Sequence, residues 1–361
     1  MKKDIKSFTY EQLEQEMLSL GEKKFRTAQI FSWLHEKDAM SFAEMTNLPV
    51  SLRERLSEEY RIPSLEIEQV QVSQEDGTRK YAFRLEDGEV IESVFMRYHH
   101  GNSVCISSQV GCRMGCTFCA STLDGLARNL APSEMLSQIH MIRKDTGERV
   151  SHVVVMGTGE PLDNLENLVA FIRLLSDPKA DGIGQRNITV STCGLVPQID
   201  RLAEEKLQIT LVLSLHAPED ELRKNMMPIA RKYTIRECLD ACERYFQRTG
   251  RRISFEYALV ENVNDSTEHA DVLAALLKGK NCHVNLIPVN PIRERSYRRS
   301  QPQRVANFKK RLEIHGINVT IRRRLGADID SACGQLRRKV AKKDENPAKT
   351  GAGMRKEGDL T

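Results

Sequence analysis

The sequence Cys112-Arg-Met-Gly-Cys116-Thr-Phe-Cys119 places three cysteines within eight residues. Three thiolates at this spacing can bind three irons of a four-iron, four-sulfur cluster, whose full ligation would take four cysteines. The fourth iron is then open to a small molecule. A structural zinc site is the alternative, but such sites usually take four ligands in two separated pairs, and no second Cys-x2-Cys or His-x3-His pattern occurs in the chain. The spacing therefore favours an iron–sulfur cluster bound by Cys112, Cys116 and Cys119.

The composition is that of a globular protein without a membrane segment. Of the 361 residues, 40% are hydrophobic, which is enough to build a core. The first ten residues contain no apolar signal sequence, and apolar runs such as Ile209–Leu215 are too short to span a bilayer. Nine cysteines in a chain of this length favour metal or redox chemistry over a secreted disulfide framework. We therefore expect a soluble, cytoplasmic protein that does not associate with membranes.

The charge of the chain is distributed unevenly. Residues 293–361 contain 19 Lys and Arg against 8 Asp and Glu, a local charge of +11 in a protein whose net charge is +4. Such a region favours a polyanionic partner, and Arg322-Arg323-Arg324 and Arg293–Arg299 are candidate phosphate contacts. The alternative is a solvated charged surface.

Two N-terminal segments precede the cysteine motif. Helical spacing of apolar residues predicts helices at Tyr10–Leu20, Arg26–His35 and Leu52–Tyr60, which we assign to a helical accessory domain over residues 1–64. Alternating patterns predict strands at Ile67–Val72, Lys80–Leu85 and Val90–Met96, which form a small β connector over residues 65–100.

The region from residue 101 to 335 alternates six predicted strands with five predicted helices, a series of six βα units that ends on a strand. Its predicted strands are Ser103–Ser108, Val153–Met156, Asn187–Ser191, Gln208–Leu215, Ile253–Leu259 and His283–Pro288. Its predicted helices are Pro132–Lys144, Leu165–Leu175, Val196–Glu205, Ile235–Thr249 and Ser266–Leu277. Alternating elements imply parallel strands, and six units are too few for a closed eight-stranded barrel. We predict an α/β fold, an open partial (β/α)6 barrel, followed by a basic, disordered tail over residues 336–361.

Several motifs together identify a family. They are Cys105-Ile-Ser-Ser-Gln-Val-Gly-Cys112, Cys116-Thr-Phe-Cys119-Ala-Ser, Met156-Gly-Thr-Gly-Glu-Pro161, Ser214-Leu-His-Ala-Pro218, Val284-Asn-Leu-Ile-Pro-Val-Asn290-Pro and Asp328-Ile-Asp-Ser-Ala-Cys333-Gly-Gln-Leu336. From about Phe25 to Leu336 the chain resembles the RlmN/Cfr family of radical S-adenosylmethionine (SAM) RNA methyltransferases. The resemblance implies a radical SAM barrel with a [4Fe-4S] cluster, and SAM consumed twice per turnover.

The resemblance also implies an activity. RlmN-type members methylate carbon 2 of an adenosine in the peptidyl-transferase region of 23S rRNA, and the adenosine 3′ of the anticodon in some tRNAs. Cfr-type members methylate carbon 8 of the same rRNA base and confer antibiotic resistance. Pro161 favours the carbon-2 type, because Ala usually follows the Gly-Glu pair in Cfr. Carbon-8 methylation and a non-catalytic iron–sulfur RNA-binding module are the alternatives.

Site residues follow from the resemblance, motif by motif. Cys333 corresponds to the cysteine that receives a methyl group from one SAM and passes its carbon to adenine, and Cys105 to the thiol that resolves the resulting protein–RNA adduct through a disulfide. Glu92 corresponds to a carboxylate proposed as a proton acceptor. The residues that correspond to SAM contacts are Gly159, Glu160, Ser191, Ser214, Leu215, His216 and Asn290. The expected partners are 23S rRNA, tRNA and an electron donor such as flavodoxin or ferredoxin, and the expected state is a monomer.

Overall fold

The computed structural model describes residues 2–292, 294–329, 336, 337 and 340. Three helices open the chain, within two residues of their predicted bounds: α1 (Tyr10–Ser19), α2 (Phe25–His35) and α3 (Val50–Glu59). Helix α1 starts at a capping box between Thr9 and Gln12, which satisfies two backbone groups at the helix start. Short strands β1 (Lys3–Asp4) and β2 (Tyr60–Arg61) pair in parallel and tie the two ends of this region together.

A ten-stranded sheet forms the rest of the scaffold. Its first three strands, β3 (Glu66–Val72), β4 (Arg79–Arg84) and β5 (Val90–Met96), form an antiparallel meander whose turns use Gly77 and Gly88 at positive φ, as the Asp-Gly pairs predict. Strand β5 pairs antiparallel with β6 (Asn102–Ile106), so the meander continues the sheet of the barrel. The predicted β connector and the predicted barrel therefore form one continuous hydrogen-bonded sheet.

The predicted parallel strands are all present. After β6 and the two short strands β7 (Gln109–Gly111) and β8 (Leu126–Asn129), they are β9 (Val150–Val155), β10 (Ile188–Thr192), β11 (Thr210–Ser214), β12 (Ile253–Leu259) and β13 (Cys282–Pro288). A seventh strand, β14 (Val319–Ile321), extends the parallel sheet beyond β13. The order from one edge to the other is β14-β13-β12-β11-β10-β9-β6-β5-β4-β3, which confirms a partial α/β barrel.

Helices cover the outer face of the sheet. They are α4 (Pro132–Thr146), α5 (Leu165–Ser176), α6 (Val196–Glu204), α7 (Asp220–Met226), α8 (Ile235–Thr249), α9 (Thr267–Leu277) and α10 (Pro302–Ile314). The sequence interpretation missed the helices α7 and α10 and the short strands β1, β2, β7, β8 and β14. Strand β14 and helix α7 are too short to show a period, and the basic residues of α10 obscured its buried positions Val305, Phe308 and Leu312. No helix in the described ranges is both long and apolar enough to cross a membrane.

The start of the predicted tail is partly ordered. Leu336 and Val340 are buried against Ala82 and Val90 of the meander, whereas the sequence interpretation assigned them to a disordered segment. These two apolar side chains lie four positions apart, so they share one helical face although charged residues surround them in sequence. Residues 341–361 lie outside the described part.

Candidate active site

One cavity of about 320 Å³ opens at the carboxyl ends of the parallel strands. In parallel α/β folds this is the edge where ligands bind. Of the residues predicted for the site, those that line it are Cys105, Cys112, Cys116, Cys119, Gly159, Glu160, Ser191, Ser214, His216 and Asn290. Leu215 and Glu92 are buried and not among its lining residues. Cys333 lies outside the described residues.

The loop that carries the three cysteines is closed at its base by β7 and β8, which pair antiparallel. Gly111 has φ +76°, and a Cβ added there would lie 2.0 Å from the Gly125 carbonyl oxygen. The adjacent Cys112 amide donates a hydrogen bond of 2.7 Å to that same oxygen. Only glycine allows the two sides of the loop to approach so closely.

The three thiols line one cavity, where burial disfavours the thiolate form unless a cation binds it. Burial raises the pKa of Cys112 to about 12 and also raises the pKa values of Cys116 and Cys119. The electrostatic effect of Cys112 and Cys119 on Cys116 acts in the same direction, because neighbouring thiolates repel. A bound cation removes both penalties, since coordinating thiols are deprotonated. Among the described residues, no three His, Cys, Asp or Glu side chains are grouped to hold a single metal ion. Three soft sulfur donors at one cavity suit an iron–sulfur cluster.

Glu160 is a buried carboxylate held by backbone amides. Its Oε2 accepts a hydrogen bond of 2.8 Å from the Cys193 amide, and its Oε1 accepts one of 3.1 Å from the Leu162 amide. Burial raises the pKa of this carboxyl, while these hydrogen bonds favour its ionised form. Gly159 has φ +112°, and a Cβ there would lie 2.6 Å from the Cβ of Gln109. The pair thus offers a buried acceptor for an ammonium group.

Polar groups from the next strands face the same cavity. Ser191 at the end of β10 and Ser214 at the end of β11 have their hydroxyl oxygens 3.2 Å apart. His216 follows with the uncommon φ of +59° for a non-glycine residue. Its Nδ1 accepts a hydrogen bond of 2.9 Å from the Ala258 amide, and burial lowers its pKa to about 3. His216 is therefore neutral, with its proton on Nε2.

Of the residues predicted to be catalytic, Cys105 is the one that the structure places in the lining of the cavity. It lies on β6, 5% exposed, and burial raises its pKa while the charge of Arg322 lowers it. Glu92 lies on the neighbouring strand β5 and is buried. Its side chain is 4% exposed, its Oε2 lies 3.2 Å from Lys80 Nζ, and its Oε1 accepts a hydrogen bond of 2.6 Å from the Arg337 amide.

The sequence interpretation missed several cavity residues. Glu256 on β12 is a buried carboxylate beside Ser214 in the sheet register, and burial raises its pKa. Tyr98 also lines the cavity, as do Arg299, Arg322, Arg323 and Arg324, which the sequence offered only as phosphate contacts. Alternation along β12 places Glu256 on the face opposite Tyr257, whose ring packs near Phe308. That alternation was the available signal for Glu256.

Two family models and several known proteins match the sequence of this chain. Residues 106–273 match the model of the Radical SAM superfamily, and residues 3–62 match that of the ribosomal RNA large subunit methyltransferase N-terminal domain. A probable dual-specificity RNA methyltransferase RlmN of Lachnospira eligens is 62% identical, over 93% of this chain and 96% of its own length. Its counterpart in Lachnoclostridium phytofermentans is 57% identical, over 94% and 96%.

A solved structure shares the whole architecture. The crystal structure of a radical SAM methyltransferase from Sphaerobacter thermophilus aligns with a TM-score of 0.87 at 41% identity, covering 92% of this chain and 98% of that one. The similarity therefore extends over the accessory helices, the meander and the barrel together.

Proposed function

Because the chain belongs to the RlmN family of radical SAM RNA methyltransferases, we propose that it methylates carbon 2 of an adenosine in the peptidyl-transferase region of 23S rRNA. We extend the proposal to the adenosine 3′ of the anticodon in tRNA, as the dual-specificity name of its relatives suggests. The observation that carries the proposal is the Cys105 thiol, which lines the same cavity as the three cysteines of the cluster motif.

Membership of the radical SAM family implies a [4Fe-4S] cluster and SAM, which supply radical chemistry when bound. Cys112, Cys116 and Cys119 would hold the cluster. Glu160 would accept hydrogen bonds from the SAM ammonium, since a buried carboxylate binds such a group strongly. The paired hydroxyls of Ser191 and Ser214 and the amide of Asn290 would contact its remaining polar groups.

The two thiols divide the transfer of the carbon between them. Cys333 would first receive a methyl group from one SAM. After that group loses one hydrogen atom to the radical chemistry that the second SAM would supply, its carbon would bond to carbon 2 of the adenine, which gives up the ring proton and returns one electron to the cluster. The Cys105 thiolate then attacks the Cys333 sulfur, so that a sulfur–sulfur bond forms as the carbon–sulfur bond breaks. The electron pair of the broken bond passes to the carbon, which takes up a proton and leaves as the methyl group of the RNA. Glu92 and Cys105 are the candidate acceptors of the ring proton, and flavodoxin or ferredoxin the candidate reductant.

Mass spectrometry of RNA from a strain that lacks the gene tests the position of the methyl group. Digested 23S rRNA and tRNA should lose 2-methyladenosine, and a plasmid copy should restore it. Loss of 8-methyladenosine instead would assign the chain to the carbon-8 type and reject the proposal.

The Cys105→Ala variant tests the division of roles between the thiols. We expect a covalent protein–RNA adduct on the peptide that contains Cys333, because the adduct still forms and its resolving thiol is missing. Cys242→Ala, which removes a buried thiol that does not line the cavity, is the matched control and should turn over without an adduct. Clean turnover by Cys105→Ala would contradict the mechanism.

A further inference from the structure

We propose that Arg223 is a positioning residue that holds the ends of the strands that bind SAM. The inference rests on the proposed function only in taking SAM as the ligand of this cavity. Arg223 lies on α7, a helix whose sequence carries no cluster or SAM motif, and it is 0% exposed.

The guanidinium group of Arg223 binds backbone carbonyls at the ends of two neighbouring strands. Its Nη2 donates hydrogen bonds of 2.7 Å to the Cys193 oxygen and 3.3 Å to the Ser214 oxygen. Its Nε donates one of 3.1 Å to the Leu215 oxygen. Cys193 follows the end of β10, while Ser214 and Leu215 lie at the end of β11. One side chain therefore fixes the spacing between the two segments that carry Ser191, Ser214 and His216.

Burying a guanidinium group costs more free energy than burying an apolar side chain that only fills space. Removing a charge from water carries a large penalty unless a counterion or several hydrogen bonds compensate. Among the described residues the partners of Arg223 are three carbonyls and the Cys238 sulfur, with no carboxylate at ion-pair distance. An apolar side chain of similar volume would fill the same space without that penalty. The rigid fork of donors is what an apolar side chain cannot supply.

The hydrogen bonds of Arg223 also reach Glu160 through one residue. Cys193 donates its amide hydrogen to Glu160 Oε2 at 2.8 Å and accepts from Arg223 Nη2 through its carbonyl at 2.7 Å. The buried guanidinium of Arg223 and the buried carboxyl of Glu160 are thus joined across the backbone of Cys193. Holding the Cys193 carbonyl keeps its amide directed at the carboxylate, which in turn fixes Glu160 for an ammonium group.

Helix α7 connects the same strand ends to the cluster loop. One turn after Arg223, the Met226 carbonyl accepts hydrogen bonds of 2.9 Å from the amide and 3.1 Å from the hydroxyl of Thr117. Thr117 lies between Cys116 and Cys119. A rigid α7 therefore sets the cluster loop, β10 and β11 in one register, which is the arrangement that a ligand contacting all three requires.

The test compares Arg223→Met and Arg223→Lys in the full-length protein, reconstituted with iron and sulfide without oxygen. Arg236→Met is the matched control, because Arg236 is 85% exposed on α8. Iron content, thermal unfolding, SAM affinity by equilibrium dialysis and RNA affinity are measured. We expect SAM affinity to fall about tenfold or more in Arg223→Met and by roughly fivefold in Arg223→Lys, since an ammonium cannot hold the carbonyls in the same geometry. RNA affinity and the SAM-free spectrum of the reduced cluster should not change.

Two outcomes would overturn the inference. The first is that Arg223→Lys and Arg223→Met both fold, load iron and bind SAM with an affinity within twofold of that of the parent. This result would show that SAM binding does not need Arg223 to hold the strand ends. Failure of both variants to fold would show that Arg223 acts as a core stabiliser. SAM affinity does not depend on which RNA carbon is methylated, so these outcomes are independent of the test of the proposed function.

Discussion

At the scale of single residues, the cysteines of this chain divide by where they lie. Cys116 lines the cavity, whereas Cys242 is buried on α8 and does not. We predict that Cys116→Ala abolishes the iron–sulfur cluster while Cys242→Ala, which removes a similar buried thiol, retains it. The measurement is iron and sulfide content with visible absorbance after anaerobic reconstitution. Four irons per chain in Cys116→Ala, or stoichiometric zinc in the active parent protein, would contradict the assignment of the ligands.

His35 gives a second prediction at this scale. Its ring is 1% exposed beside Phe31, and neither nitrogen has a hydrogen-bond partner among the described residues. Burial lowers the pKa of His35 to about 3, with a smaller effect from His140. The unfolded chain, with a histidine pKa near 6.5, therefore binds more protons than the folded one between these values. Below pH ~6.5 the folded state should lose up to ~1.4 kcal/mol per pH unit through this residue.

Chemical denaturation at several pH values between 4 and 8 measures this effect. His35→Phe should reduce the dependence of the unfolding free energy on pH below 6.5, because it removes the titrating group. His99→Phe, at an exposed position, is the control and should keep the parent dependence. An unchanged dependence in His35→Phe would mean that the ring is not neutral in the folded protein.

At the scale of elements, the cluster loop depends on backbone approach. Gly111 and Gly147 both have positive φ, but a Cβ at Gly111 meets the Gly125 oxygen at 2.0 Å and one at Gly147 meets nothing within 4 Å. We predict that Gly147→Ala costs about 1 kcal/mol through backbone strain alone. Gly111→Ala should cost roughly 3 kcal/mol or more and lower iron occupancy, because the loop must open. Equal unfolding free energies and equal iron content in the two variants would show that the loop tolerates opening.

At the scale of the whole molecule, the barrel opening is basic while the net charge of the chain is only +4. Arg323 and Arg324 line the cavity that holds the candidate site. If they contact RNA phosphates, replacing both with Gln should reduce the slope of log K against log salt by roughly 1.5. Filter-binding titrations over a range of salt concentrations measure this slope. Arg231→Gln with Lys232→Gln, two exposed cations that do not line the cavity, should leave the slope unchanged. A slope unaffected by the first pair would place the RNA elsewhere.

Local sequence patterns were sufficient to predict much of the fold and of the candidate site. The cysteine spacing predicted which residues bind the cluster, and the patterns of apolar residues predicted six parallel strands and the ends of most helices. Each of these predictions depends on residues that are close in sequence. Gly159 and Glu160 follow one predicted strand, and Ser214 and His216 lie at the end of another, so their convergence on one cavity follows from parallel topology. The tail was interpreted less well, since charge around Leu336 and Val340 concealed two apolar side chains that contact a distant hairpin.

The tertiary structure decided the features that depend on distant partners. Glu92 reads as an ordinary strand residue until Lys80 on the neighbouring strand makes it half of a buried ion pair. Arg223 lies in a segment for which the sequence predicts no element, and only the folded chain surrounds it with the carbonyls at the ends of β10 and β11. Periodicity reports only which face a residue occupies. Whether a charge can be buried depends on the hydrogen-bond partners that surround it, and those come from segments remote in sequence that only the folded chain brings together.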